Sequence, residues 1–110
     1  MADKLTPQQV AQVAVLETFP PRLEQAHRLI EELAALRADP TLVPRLCRLL
    51  DQCKAAANSI GETAMAETLG MMATLARRMG DQQMRVRALR EGLASLKLNY
   101  AVAVRAVRGG

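Results

Sequence analysis

The sequence predicts an all-α fold: an antiparallel four-helix bundle with a short extra helix at its N-terminal end. Apolar residues recur at three- and four-residue spacings through most of the chain, as the buried stripe of an amphipathic helix requires. Pro and Gly fall at intervals that cut the chain into helix-length pieces. No stretch alternates Val, Ile and Thr in the manner of a half-buried strand. The 110 residues suit one domain. The expected division is a single domain over 1–110, with the short helix over about 6–18 and the bundle over about 21–108.

Each element has its own punctuation. Thr6-Pro7-Gln8-Gln9 is a capping-box start with Pro at the first helical position. Pro20-Pro21 ends that helix, because Pro lacks an N–H and restricts the residue before it. Pro21 then opens a second segment running to about Ala38, with Leu23, Ala26, Ile30 and Leu33 on one stripe. Asp39-Pro40-Thr41 starts the third, where Pro44 is tolerable because it falls in the first turn. Its stripe is Leu42, Leu46, Leu49, Leu50, Cys53, Ala57 and Ile60, and Gly61 stops it. The fourth segment aligns Met65, Leu69, Met72, Leu75 and Met79 before the stop-then-cap pair Gly80-Asp81. The last carries Val86, Leu89, Leu93, Leu96, Tyr100, Val104 and Val107. Short connections between amphipathic helices give antiparallel neighbours.

Composition excludes several function classes. With no Trp, one Phe and one Tyr, the chain lacks the stacking platforms of single-strand nucleic-acid readers and the aromatic cages of cation binders. One His and two Cys do not make a standard zinc site, so neither metal nor cofactor is expected. No apolar run approaches the ~18 residues that span a bilayer, and MADKLTPQQ has no apolar signal core. The expected setting is cytoplasmic, away from membranes. The net charge of +4 is unevenly placed. Acidic and basic residues balance through residue 80, and the excess lies in the last segment, where Arg85, Arg87 and Arg90 form a candidate secondary basic surface.

The third segment has an unusual outward face. At about 100° per residue, Cys47, Asp51, Lys54, Ala55 and Asn58 lie together, opposite Leu46, Cys53 and Ile60. Solvated helix faces usually carry long charged side chains, but this one thins to Ala55, Ala56, Ala57, Asn58 and Ser59. Small side chains let another surface approach the backbone, although alanine is also simply the best helix former.

The run Asp51-Gln52-Cys53-Lys54-Ala55-Ala56-Ala57-Asn58-Ser59-Ile60-Gly61 resembles the central helix of histidine-phosphotransfer (Hpt) domains, including the related first domain of chemotaxis histidine kinases. That pattern is His, an apolar residue at +2, Lys at +3, Gly at +4, small residues, and Gly at +10. Cys53, Lys54 and Gly61 fill the matching positions. The flanking segments are similar as well, so the resemblance covers about residues 15–105. The chain departs from the pattern at its chemical centre: Asp51 stands where the family carries its phosphorylated His, and Ala55 where it carries Gly.

An imidazole nitrogen accepts and returns a phosphoryl group at a transfer potential comparable to an aspartyl phosphate. A phosphorylated Asp in a receiver depends instead on an acidic cluster holding Mg²⁺ and on a nearby Lys. Arg48, Gln52 and Ala55 give Asp51 no second carboxylate, and Lys54 is a candidate surface partner at i, i+3. The resemblance therefore implies a non-enzymatic signalling module of bacterial style. Its expected partner is a response-regulator receiver domain or a histidine kinase, which it serves as adaptor or competitor. The former phosphotransfer face comprises Asp51, Lys54, Ala55 and Asn58, and the expected state is monomer or dimer.

Other readings are weaker on their residues. His27 is followed at +3 and +4 by Ile30 and Glu31, which fits a boundary histidine rather than a phosphoryl acceptor. Cys47 and Cys53 lie about 240° apart on one helix, with Cys53 expected in the core and Cys47 half-exposed. Most Met residues fall on core spacing, while Met71 lies off that line. A helical scaffold acting through the basic last helix is one alternative. A helix-turn-helix DNA binder over residues 63–78 is another, against which the Met65–Met79 stripe runs unbroken through the required turn.

Overall fold

The computed structural model describes residues 5–35, 39–78 and 80–109. Five helices follow in order: α1 (Pro7–Leu16), α2 (Phe19–Ala34), α3 (Leu42–Ser59), α4 (Thr63–Arg77) and α5 (Gln82–Gly109). Helices α2 to α5 form the bundle, with α2 against α3, α3 against α4, α4 against α5, and α5 closing the ring against α2. Helix α1 packs on α5. The molecule measures 54 × 20 × 19 Å.

The helix ends follow from local chemistry. Thr6 and Gln9 satisfy one another in a complete capping box, the Gln9 N–H donating to Thr6 Oγ1 at 3.1 Å and the Thr6 N–H to Gln9 Oε1 at 2.8 Å. Helix α1 stops at Leu16, and α2 begins at Phe19, two residues before the expected start at Pro21. Pro20 and Pro21 sit within the first turn of α2, where a missing N–H leaves no intrahelical bond unmade. The expected extension of α2 to Ala38 ends in residues outside those described. Asp39 accepts from the Thr41 N–H and hydroxyl at 2.9 and 2.6 Å, an Asx turn that leads into α3. Gly61 adopts φ +73°, the left-handed conformation that suits a residue lacking Cβ. Asp81 then accepts from the Gln83 N–H at 2.9 Å to open α5.

The core is aliphatic. Phe19, Ile30, Leu46, Met65, Leu69, Met72, Leu89 and Leu96 are inaccessible to solvent, and no polar or charged residue is buried among those described. Each such large side chain contributes about 1.5–3 kcal/mol relative to exposure. Ile60, Leu75, Tyr100, Val104 and Val107, expected on the core stripes, are only partly buried, while Met79 lies outside the described residues. Helix α5, with 28 residues, extends about 42 Å, longer than the 15-residue α4, and α1 packs on it as well as α2 and α4. Phe19 of α2 and Tyr100 of α5 meet with ring centroids 6.0 Å apart. Residues 63–77 form one continuous helix through Gly70, so the turn of a helix-turn-helix is absent from that segment. Among the described residues, no helix is long and apolar enough to cross a membrane.

Candidate functional site

Asp51, Lys54, Ala55 and Asn58 all lie on the exposed side of α3. Leu46, Leu50, Cys53 and Ala57 turn inward from the same helix, so the core stripe fixes its rotation and sets these four outward. His27 is also exposed, on α2.

Asp51 does not pair with Lys54. Its Oδ2 accepts a hydrogen bond from Arg77 Nη2 at 2.7 Å, reaching across to the last turn of α4. Both side chains keep about half their exposure (53% each). The hydrogen bond that Arg77 donates to Asp51 holds the Arg77 pKa above its ordinary value. Lys54 instead lies along α4, its Nζ 3.3 Å from the position a Cβ at Gly70 would occupy. Gly70 thus provides the space in which the lysine stem rests.

A broad, open depression of about 690 Å³ runs beside the pair. Val43, Pro44, Cys47 and Ala55 supply its apolar lining, and Asp51, Arg77, Arg48 and Gln52 its polar groups. Two arginines against one carboxylate leave it basic. Among the described residues, no group of three or more His, Cys, Asp and Glu side chains is arranged to hold a metal ion.

The expectation of a half-exposed Cys47 is corrected: Cys47 is buried, with 6% of its surface accessible. Simple projection of α3 set it outward, but the end of α4 lies close by, and Arg77 and Arg85 are near enough to act on the thiol. Desolvation nevertheless dominates and pushes its pKa above the ordinary value, as it does for Cys53. A buried thiol with a raised pKa is a poor nucleophile.

The three arginines of the secondary basic surface do not share one role. Arg85 donates from Nη1 to the Arg78 and Ala76 carbonyls at 2.9 and 3.4 Å, and also bonds Gln82. It thereby satisfies carbonyls at the α4 C-terminus, where a cation is also favoured by the helix dipole. Arg90 forms a two-pronged pair with Glu31 of α2, Nε to Oε2 at 2.8 Å and Nη2 to Oε1 at 2.6 Å. Arg87 is exposed on α5 and has no such partner among the described residues.

Arg77 is the site residue that sequence reasoning missed. It lies seven residues after Gly70, on the same face of α4 at helical spacing. That spacing alone did not reveal which face of α4 meets α3. No protein-family model, curated protein or solved structure matches this chain.

Proposed function

We propose that this chain is a non-catalytic, Hpt-like signalling module that binds the receiver domain of a response regulator, or its kinase, as adaptor or competitor. The observation that carries this reading is the state of position 51. The residue replacing the family's phosphorylated His is an Asp held by Arg77 on an exposed, basic, small-residue face. A carboxylate already bonded to a guanidinium, with no metal-holding cluster among the described residues, is poorly suited to aspartyl phosphorylation. The same groups suit docking. Arg77 offsets the charge of Asp51, so that Asp51 does not by itself repel the carboxylates of a receiver's phosphorylation pocket, and Arg48 and Lys54 add attraction. Ala55 leaves the α3 backbone approachable.

The test is calorimetric titration of the full chain against a panel of purified receiver domains, with and without phosphorylation. Binding by at least one receiver that is lost on Ala55→Arg, with helicity kept, is the expected result. Stable transfer of phosphoryl label from a receiver to this chain removes the non-catalytic assignment. Absence of binding to every receiver and kinase tested removes the reading itself.

The basic last helix is the weaker alternative, since Arg85 and Arg90 are engaged within the bundle.

A further inference from the structure

Among the described residues, two ion pairs join separate helices, and they are built differently. Glu31 and Arg90 join α2 to α5 through two parallel hydrogen bonds, which fix both planar groups. Asp51 and Arg77 join α3 to α4 through one hydrogen bond, from a single Nη2 to a single Oδ2. A guanidinium carries five N–H donors, so this contact leaves most of the Arg77 fork uncommitted. Arg77 and Asp51 also both line the 690 Å³ depression. One pair is a brace between helices. The other is a loosely held guanidinium at the edge of an accessible groove.

We propose that the Asp51–Arg77 pair is exchangeable: in the free protein Asp51 occupies the oxyanion-binding group of the docking face, and a carboxylate from the partner's acidic cluster displaces it on Arg77. This rests on the docking reading above and assigns the group that does the recognising. Asp51 then acts as an internal competitor that sets how acidic a partner must be. A weakly acidic surface cannot replace a carboxylate tethered within hydrogen-bonding distance, while a cluster of carboxylates can. Arg48, on the same depression, is placed to meet the displaced Asp51 or a second partner carboxylate, so exchange leaves no charge unpaired. The apolar floor from Val43 and Pro44 lowers the local polarity once a partner covers it, which strengthens the new pair.

The experiment is a double-mutant cycle with D51N, R77Q and the combined variant, with helicity checked by circular dichroism. Both positions are half exposed, so the bundle tolerates the changes. Against a receiver domain that binds the unaltered chain, D51N is expected to tighten binding about two- to fivefold, as release of a competing surface charge pair allows. R77Q is expected to weaken it, and D51N to have no effect in the R77Q background. Equal tightening by D51N in both backgrounds means that Asp51 only repels the partner, and overturns the exchange.

A second measurement needs no receiver. The Arg77 Nε–H resonance is followed by NMR while inorganic phosphate or, separately, acetate is added to the full chain. In D51N it is expected to respond at about threefold lower anion concentration than in the unaltered chain; an equal response overturns the exchange. If no receiver binds, the docking reading falls, and the anion titration alone decides whether Asp51 shields Arg77. Acetate and phosphate together show whether the group prefers carboxylate or phosphoryl oxygen.

Discussion

Gly92 of α5 faces Met72 of α4 so closely that a Cβ at position 92 would lie 2.7 Å from Met72 Cγ. Both residues are buried, and the atom met is in the middle of the methionine side chain rather than at its flexible end. Gly92→Ala gains helix propensity but forces Met72 out of its packing, for an expected net loss of about 1 kcal/mol. Urea denaturation of the variant checks this. Met72→Ala added to Gly92→Ala is expected to remove the clash while costing core volume, so the two changes are non-additive.

Gly70→Ala is expected to have the opposite sign. The nearest atom to its added Cβ is Lys54 Nζ at 3.3 Å, the far end of a flexible side chain that can swing into water. The variant is expected to be more stable by about 0.5–1 kcal/mol from helix propensity alone. Its melting temperature gives the stability, and the Lys54 side-chain NMR resonances report the ammonium displacement.

Arg85→Ala is expected to destabilise the junction between α4 and α5 rather than to alter a binding surface. The guanidinium satisfies the Ala76 and Arg78 carbonyls, and charge-assisted bonds of this kind contribute about 1.5–3 kcal/mol. Hydrogen exchange concentrated at the end of α4 is the diagnostic result. Arg87→Ala, on an exposed side chain, is expected to leave stability unchanged.

Acid is expected to weaken the fold through Glu31 and Asp39. The hydrogen bond from Arg90 lowers the Glu31 pKa below its ordinary 4.5, and bonds from Thr41 lower that of Asp39 below 3.8. A depressed folded-state pKa means the unfolded chain takes up protons first as pH falls. The contribution is therefore complete above the ordinary values and lost on descent through the folded ones. Glu31→Gln is expected to flatten the dependence of melting temperature on pH as the pH falls below the ordinary glutamate value.

Both thiols are expected to resist modification in the folded chain. Burial raises the Cys47 and Cys53 pKa values above the ordinary 9.0. The unfolded chain ionises first as pH rises past that value, so stability falls on the alkaline side. Disulfide-exchange reagents at neutral pH are expected to react about tenfold or more slowly than in urea.

Local chemistry made much of the fold legible. The Thr6–Gln9 box, the Gly61 turn and the Asp81 cap are short-range patterns whose residues lie within one turn of one another. The stripe of α3 put Asp51, Ala55 and Asn58 outward correctly, because one helix's rotation follows from its own apolar spacing. Cys47 and Arg77 were not legible in the same way. Their surroundings depend on how far α4 runs past α3 and which face it turns, and those are properties of two helices together. The charge count around Arg85 and Arg90 misled for the same reason, since a list of basic residues does not show which already have partners in the bundle.

The length of α5 also bears on the order in which the bundle can be assembled. Helices α2, α3 and α4 are joined in sequence and can pair as neighbours soon after they are synthesised. Without α5 these three helices would leave open the side of Phe19 that meets Tyr100 and the side of Met72 that meets Gly92. Helix α5 covers that open face and closes the ring between α4 and α2. A chain whose last helix is not yet in place would expose that apolar face, and a chaperone that shields unfinished apolar surface would be expected to act there.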